Sequence, residues 1–277
     1  MNREYILKEL LQKYTTQRID KCIVKLKNNP LDIHSAKTIL YYYFLDERLN
    51  TSMKGISFYE FYKHFDKVSM PSLLKTFEKM KYKNSPYDIY KIYSFYYGCV
   101  PTFKISTAYS LIQKYANDKE TVLDPCAGFG GRCVATILHN KQYIKFDLND
   151  RLQPAYNNLF SHFPNHKCEI NYIDALTVDY SKLKYDCIIT SPPYWNIELY
   201  HNTNKLRKAD WIIWYTTLFT TIHDNLMDNG VMILSINQEM YSKIFEPMFG
   251  EPFAKDPLQL NESKKNNYKE FVYIFKK

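Results

Sequence analysis

The chain has 277 residues, which is enough for one full α/β domain and a smaller module. It begins without the apolar stretch of a secretory signal, and no segment approaches the roughly 20 apolar residues of a membrane span, so a cytoplasmic or nuclear protein is expected. The six cysteines form no Cys-x-x-Cys pair, which favours reduced core residues. His162 and His166 have ligand-like spacing, but Pro164 lies between them and no further ligands complete a set, so no metal is expected.

The net charge of +8 is concentrated in the amino-terminal part of the chain. Residues 1–100 hold 17 Lys and Arg against 10 Asp and Glu, whereas residues 101–277 hold 20 against 19. Residues 41–97 also contain 17 Tyr and Phe. Basic residues interleaved with aromatics are typical of nucleic-acid surfaces, where cations bind phosphates and rings stack on bases. We therefore predict a basic and aromatic module over 1–100 and a second domain over 101–277.

The same amino-terminal region has the periodicity of amphipathic helices. Two groups follow the i, i+3, i+4, i+7 spacing: Leu7, Leu10, Leu11 and Tyr14, and then Phe58, Phe61, Tyr62 and Phe65. Pro30, Pro71 and Pro86 would divide the region into three or four helices. Many of the rings would then be core residues and the lysines would be solvated, so both interpretations of the aromatic content stay open.

A glycine cluster follows the first predicted strand of the second domain. The apolar run that starts at Thr121 ends at Asp124, and Gly128, Gly130 and Gly131 precede an apolar segment that reads as a helix. Glycines between a strand and a helix let a ligand approach the backbone closely. This context predicts a nucleotide-binding loop.

Acidic residues end the next two predicted strands. The run from Tyr143 to Phe146 ends at Asp147, 23 residues after Asp124, close to the spacing at which an acid binds ribose hydroxyls. Asn149 is the competing ribose candidate. The run from Ile170 ends at Asp174. Because parallel strands present their carboxyl ends at one edge, these acids are expected to converge, although each alone is more simply a helix cap or loop residue.

A fourth apolar run, Cys187 to Thr190, stops at Ser191-Pro192-Pro193-Tyr194. The prolines hold the backbone extended and leave one carbonyl free to point into a cleft. Ser191 offers a second acceptor, and the Tyr194 ring offers a face for a planar base. Together they would hold an exocyclic amino group, although the tetrapeptide alone also fits a plain turn.

The remaining sequence completes an α/β pattern. A helix face is marked by Trp211, Trp214, Tyr215, Leu218, Phe219 and Ile222. Asn229-Gly230 then turns into the strand Val231 to Ile236, and Glu270 to Phe275 reads as a final strand, paired antiparallel with residues near Leu258 to Leu260. A sheet of seven strands results.

Two of these segments carry a family resemblance. Asp124-Pro125-Cys126-Ala127-Gly128-Phe129-Gly130-Gly131 resembles the S-adenosylmethionine-binding motif of amino-methyltransferases that modify DNA bases, and Thr190-Ser191-Pro192-Pro193-Tyr194-Trp195 resembles their catalytic motif. The match covers roughly residues 100–277. It is also similar to uncharacterised methylases of phages and large viruses. The resemblance implies an α/β, Rossmann-like class I methyltransferase fold with a seven-stranded, mostly parallel sheet, preceded by a helical amino-terminal module.

The resemblance also implies S-adenosylmethionine as cofactor and a role for each matching position. The segment from Pro101 to Ala108, Asp124 and the backbone at Gly128 would serve the methionine end, Asp147 the ribose and Asp174 the adenine amino group. The full set of implied cofactor contacts is Phe103, Thr107, Asp124, Pro125, Ala127, Gly128, Gly130, Asp147 and Asp174. The implied catalytic residues are Ser191, Pro192, Pro193 and Tyr194.

The Ser-Pro-Pro-Tyr form is similar to that of cytosine-N4 members, so the resemblance favours a site-specific DNA methyltransferase, as in restriction-modification, acting on cytosine N4 ahead of adenine N6. RNA or protein amide methylation stays open, as does an inactive nucleic-acid-binding protein of the same fold. Pro125-Cys126 lies in the glycine loop, which disfavours a cysteine nucleophile. The sequence contains no identifiable recognition insert, so target choice would come from residues 1–100 or from the loop 196–208.

Overall fold

The computed structural model describes residues 2–65, 75, 78–79, 85–194, 198–199, 206–258 and 270–277. In the amino-terminal region the helices are α1 (Arg3–Leu11), α2 (Thr16–Asn28), α3 (Ile33–Asn50), α4 (Phe58–Lys63) and α5 (Pro86–Tyr97). Further along the chain they are α6 (Ile105–Tyr115), α7 (Gly131–Leu138), α8 (Gln153–Phe160), α9 (Lys208–Asp224), α10 (Gln238–Met240) and α11 (Glu246–Phe249), the last two joined by a π-helical turn. The strands are β1 (Ser52–Met53), β2 (Thr121–Asp124), β3 (Gln142–Phe146), β4 (Cys168–Asn171), β5 (Cys187–Thr190), β6 (Glu198–Leu199), β7 (Val231–Asn237), β8 (Ala254–Pro257) and β9 (Glu270–Lys276).

Seven of the strands form one sheet in the order β4-β3-β2-β5-β7-β9-β8. The first five run parallel, and β9 is antiparallel to both of its neighbours, so β8 again runs parallel to the first five. This is the strand order of the Rossmann-like fold of class I methyltransferases, and it confirms the predicted sheet. Strands β1 and β6 form a separate two-stranded ladder.

The partner segment of the final strand lies slightly earlier in the chain than the sequence suggests. Glu270–Lys276 pairs along its full length with β7, and its other edge pairs with Ala254–Pro257. The amide of Leu258 still donates to the Glu270 carbonyl at 3.3 Å, whereas residues 259 and 260 lie outside the described part. The predicted partner segment was therefore too late by a few residues.

Alternate residues of the central strands enter two hydrophobic clusters, one on each face of the sheet. In β2, Val122 packs into the first cluster and Leu123 into the second, and Ile189 and Ile188 of β5 divide in the same way. Burial on both faces explains the continuous apolar runs of these strands. Within the described residues no helix combines the length and apolarity needed to cross a bilayer.

Helices α2 and α3 join the helical region to the sheet. Ile23 of α2 and Phe44 of α3 lie in the same cluster as Val122, whereas Leu45 and Leu49 of α3 face a third cluster built from α1, α4 and α5. Fully buried Phe58 and Phe61 belong to that third cluster, as helical periodicity predicts. The predicted domain boundary at residue 100 stays a prediction. Helix α3 contributes residues both to the cluster that covers the sheet and to the third, helical cluster. Pro71 and Trp195 lie outside the described residues.

Candidate functional site

The glycine loop joins β2 to α7, and its three glycines meet different surroundings. Gly128 (φ +58°) and Gly130 (φ +77°) have left-handed backbone conformations. A Cβ added at Gly128 would meet nothing within 4 Å, but at Gly130 it would lie 2.6 Å from the Phe44 ring. At Gly131 it would lie 1.9 Å from the Phe103 carbonyl oxygen. The backbone at Gly128 is therefore open to a ligand, whereas Gly130 and Gly131 leave room for Phe44 and Phe103 of the chain itself.

Asp124 is fully buried at the end of β2, and its carboxylate accepts five hydrogen bonds, one of them from Arg132 Nη2 to Oδ1 at 3.3 Å. Its Oδ2 accepts from Arg132 Nε at 2.6 Å and from the Tyr143 hydroxyl at 2.7 Å. Its Oδ1 accepts from the Thr190 hydroxyl at 2.8 Å and the Cys126 amide at 3.3 Å. These donors satisfy the buried charge, so the carboxylate is engaged with the protein itself.

Arg132 donates hydrogen bonds both to Asp124 and to the glycine loop. Its guanidinium donates to the carbonyls of Cys126 at 2.5 Å and Ala127 at 3.3 Å, and it lies 5.2 Å from the centre of the Phe103 ring. Burial acts to lower the pKa of Arg132, but the Asp124 charge outweighs it and the pKa lies above its ordinary value. The arginine is thus a permanent cation inside the loop.

Asp147 follows β3 and touches the open glycine directly. Its Oδ2 accepts from the Gly128 amide at 2.7 Å, and its Oδ1 accepts from the Asn149 amide at 2.9 Å. The Tyr156 hydroxyl donates to the Gly128 carbonyl at 2.8 Å, which fixes the loop from the other side. The half-buried carboxylate and the open backbone are therefore neighbours.

Asn149, the competing ribose candidate, is 1 % exposed and turned toward the amino-terminal helices. Its side-chain amide donates to Glu47 Oε1 of α3 at 2.9 Å. Burial raises the pKa of Glu47 above its ordinary 4.5, against the lowering effect of the hydrogen bonds from Asn149 and Asn50. A chain of hydrogen bonds thus runs from α3 through Asn149 and Asp147 to Gly128.

Asp174 lies apart from this network. It follows β4, is half-buried, and its Oδ1 accepts from the Leu176 amide at 3.0 Å, which caps the short turn Ala175–Thr177. No hydrogen bond of the described residues connects it to Asp147 or Asp124. Its strand is parallel to β3, so both acids still lie at the same edge of the sheet.

The Ser-Pro-Pro-Tyr segment leaves β5 at this same edge. The Tyr194 hydroxyl donates to the Ser235 carbonyl of β7 at 3.0 Å and lies 3.4 Å from Ser191 Oγ. The Tyr215 hydroxyl of α9 donates to the Pro193 carbonyl. Within the described residues no donor reaches the carbonyl of Pro192. Burial raises the pKa of Tyr194 to about 12, so it stays a neutral phenol.

The other predicted cofactor residues surround the glycine loop. Pro125 and Ala127 are buried within it, and the Ala127 amide donates to the Phe146 carbonyl at 3.2 Å. Phe103 covers Gly131, and Thr107 is half-buried in the first turn of α6. Sequence reasoning missed Arg132, Thr190 and Glu47. Arg132 had one available signal, namely a single cation at the start of an apolar helix directly after the glycines.

No family model matches the chain, and no curated protein matches its sequence. Similar solved structures include TrmN from Thermus thermophilus, with 14% identity and a TM-score of 0.47, covering 63% of this chain and 49% of that one. An rRNA methylase from Streptococcus thermophilus is 14% identical with a TM-score of 0.44, covering 64% and 98% of the two chains. The N-methyltransferase NodS from Bradyrhizobium japonicum is 9% identical with a TM-score of 0.43, covering 61% and 93%. The chain spans about half the length of TrmN. The fold of the present chain is defined by the order of its own seven strands.

Proposed function

We propose that the protein transfers a methyl group from S-adenosylmethionine to an exocyclic amino group of a nucleic-acid base, with cytosine N4 of DNA as the first target. The observation that carries this proposal is the double contact of Asp124. Its carboxylate accepts from Cys126 in the glycine loop and from Thr190, the residue before Ser191. The two predicted functional loops are thereby joined through one buried side chain.

The residues of the glycine loop fit the proposed cofactor. The backbone at Gly128 is open to close approach, and the Asp147 carboxylate beside it retains lone pairs for hydroxyl donors after accepting two amides. Asp147 would bind the ribose hydroxyls, and Phe103, Thr107 and Asp174 would complete the contacts that the motif resemblance implies. The chemistry that bound S-adenosylmethionine supplies is an activated methyl group.

On the catalytic side, two acceptors would hold the two protons of the target amine. We assign them to the Pro192 carbonyl, which no described donor reaches, and to Ser191 Oγ. Acceptors on both protons favour the pyramidal nitrogen that develops as the methyl group arrives, so they stabilise the transition state more than the substrate. Alignment of nitrogen and methyl group supplies the rest by proximity.

Tyr194 contributes its ring as a stacking surface and does not act as a proton acceptor. With a pKa of about 12 it keeps its proton near neutrality, and the bond from its hydroxyl to the Ser235 carbonyl fixes the ring. A base inside a duplex is out of reach of such a ring, so the target must be single-stranded or flipped out. Cys126 is no nucleophile in this scheme, because desolvation of its thiol and the charges of Asp124 and Asp147 raise its pKa well above the ordinary value.

One experiment tests the reaction and the substrate together. The protein is incubated with methyl-labelled S-adenosylmethionine and with DNA, RNA or cell protein, and the products are identified by nucleoside and peptide mass spectrometry. N4-methylcytosine in DNA, lost in Pro192→Ala, is the expected result. Label on RNA alone assigns the second substrate, and label on protein alone contradicts a nucleic-acid target. Cofactor binding without transfer to any polymer identifies an inactive binding protein.

A further inference from the structure

Helix α5 presents an unusual outer face. Its inner residues Ile89 and Ile92 are buried in the third cluster, as an amphipathic helix requires. At positions four apart on the other side lie Tyr87, Lys91 and Phe95, all exposed, with Phe95 77% and Tyr87 43% accessible. At 1.5 Å per residue the two aromatic rings are set about 12 Å apart along the helix. This face therefore carries two accessible aromatic rings with a cation between them.

Cations lie over the Tyr87 ring and over the nearby Tyr14 ring. Lys91 Nζ lies 4.3 Å from the centre of the Tyr87 ring, and Lys13 Nζ lies 6.0 Å from it. Lys13 is also 5.3 Å from the Tyr14 ring, over which the Arg18 guanidinium lies at 5.2 Å. Among the described residues neither Lys13 nor Arg18 forms an ion pair, whereas Lys91 has Asp88 at 3.8 Å. The surface therefore combines net positive charge with accessible rings.

We propose that this surface, consisting of Lys13, Tyr14, Arg18, Tyr87, Lys91 and Phe95, binds a single strand of nucleic acid. Bases would stack on Tyr87 and Phe95, and the three cations would contact phosphates, which is how sequence-tolerant single-strand sites are built. The balance of 17 basic against 10 acidic residues over 1–100 adds long-range attraction for a polyanion. Stacking on two separate rings needs unpaired bases, which excludes an intact duplex as the occupant.

The surface is connected to the candidate site by a short chain segment. Phe95 is eight residues before Phe103, whose carbonyl covers Gly131, so the two lie at most about 29 Å apart. A strand held on α5 would extend toward the Ser-Pro-Pro-Tyr segment and supply the unpaired base that Tyr194 requires. The inference therefore rests on the proposed function and deepens it by naming the surface that holds the substrate strand.

The test measures binding of the full chain to a labelled single strand of ~12 nucleotides, as RNA and as DNA of equal sequence, by fluorescence anisotropy. Tyr87→Ala together with Phe95→Ala is expected to weaken binding by about 30-fold or more, since stacking contributes about 1–3 kcal/mol per base and two rings are removed. Lys13→Glu together with Lys91→Glu should weaken binding and reduce its salt dependence. The tighter of the two polymers identifies the source of the strand.

A matched control lies beside the edge strand β8 of the sheet. Phe253 is 60% exposed with Lys276 Nζ 3.5 Å above its ring, so Phe253→Ala and Lys276→Glu change the same residue types elsewhere. These variants should bind the strand like the parent. Equal affinity of the parent and the α5 variants on both polymers, or binding of duplex alone, overturns the proposal.

Methyl transfer is measured in the same variants so that the two proposals can fail separately. Loss of strand affinity in the α5 variants of a protein that methylates no nucleic acid leaves the surface standing and removes the proposed function. If the α5 variants methylate single strands with unchanged kcat/KM, the proposed function stands and the proposed binding surface is removed. Cofactor affinity should be unchanged in all of them.

Discussion

The Thr190 hydroxyl donates to Asp124 Oδ1 at 2.8 Å, although the two residues end different strands, β5 and β2. Asp124 precedes the glycine loop and Thr190 precedes Ser191, so this one contact fixes the distance between the two candidate loops. Because the carboxylate also accepts from Arg132 and Tyr143, its position is determined from three directions. Reactions that align a methyl donor with an acceptor depend on such fixed distances.

Arg132→Met should destabilise the protein strongly. It leaves the Asp124 carboxylate buried without its cation and removes donors from the loop carbonyls, a loss of about 3–5 kcal/mol for a broken buried pair. Urea denaturation measures this directly. The matched control is Arg207→Met, which breaks the exposed pair with Asp210 and should leave the midpoint unchanged. Equal midpoints for parent and Arg132→Met would contradict the buried-pair description.

Glu47 should make stability depend on pH. Its folded-state pKa is raised above 4.5, so over the range from 4.5 upward to that raised value the native state holds more protons than the unfolded state. Parent stability therefore falls as pH rises through this range, and the loss persists above it. Glu47→Gln removes the ionisation and keeps an acceptor for Asn149, so its stability relative to the parent should grow over the same range.

The measurement is urea denaturation of both proteins between about pH 5 and pH 8. Parallel stability curves for the parent and Glu47→Gln would show that Glu47 ionises equally in both states. Asn149→Ala offers a further check, because it removes a hydrogen bond that lowers the pKa of Glu47. The pH-dependent loss of stability should extend to higher pH in that variant.

The glycines of the loop should respond differently to substitution. Gly130→Ala brings a Cβ to 2.6 Å from the Phe44 ring at a left-handed φ, so strain and overpacking should cost about 2–4 kcal/mol. Gly128→Ala meets no atom within 4 Å, so it should cost only the backbone strain of about 1–2 kcal/mol while weakening cofactor binding.

Phe44→Leu provides the control for this prediction. A smaller side chain above Gly130 should reduce the cost of Gly130→Ala and leave that of Gly128→Ala unchanged, as a double-mutant cycle of stabilities measures. Additive costs for Phe44→Leu and Gly130→Ala would mean that the ring does not constrain the glycine.

These glycines illustrate how far the sequence predicts this site. Local pattern was sufficient for the strand-loop-helix order and for four parallel strands, because apolar runs and their polar ends are local features. Three of these strands end at Asp124 or directly before Asp147 and Ser191, whereas β4 ends at Asn171, three residues before the predicted Asp174. It could not separate an open glycine from one under Phe44, because that ring comes from α3, far away in the chain. Tyr143 and Thr190 were missed as partners of Asp124 for the same reason, since they lie 19 and 66 residues from it.

Strand β8 was misplaced for a different reason. It lies at the edge of the sheet, and Lys255 and Asp256 within it are exposed or half-buried, so it lacks the apolar run that marks a central strand. The nearby leucines at 258 and 260 have the more strand-like composition. The aromatic residues of the amino-terminal region divided between both interpretations, since Phe58 is buried and Phe95 is exposed.

The assigned roles of the site residues predict a split between cofactor binding and turnover. Asp147→Ala should mainly weaken S-adenosylmethionine binding, because it removes the carboxylate beside the open Gly128 backbone. Pro192→Ala and Tyr194→Ala should leave that affinity nearly unchanged and reduce turnover strongly, because the first frees the backbone that holds the acceptor carbonyl and the second removes the stacking ring. Tyr194→Phe keeps the ring but loses the bond to the Ser235 carbonyl, so its turnover should lie between the parent and Tyr194→Ala.

Tyr185→Phe is the control for these variants. Its hydroxyl donates to the Ile222 carbonyl in the core, so its loss should affect stability alone. Calorimetric titration and steady-state kinetics measure the two quantities, and equal loss of cofactor affinity in the Asp147, Pro192 and Tyr194 alanine variants would remove these assignments.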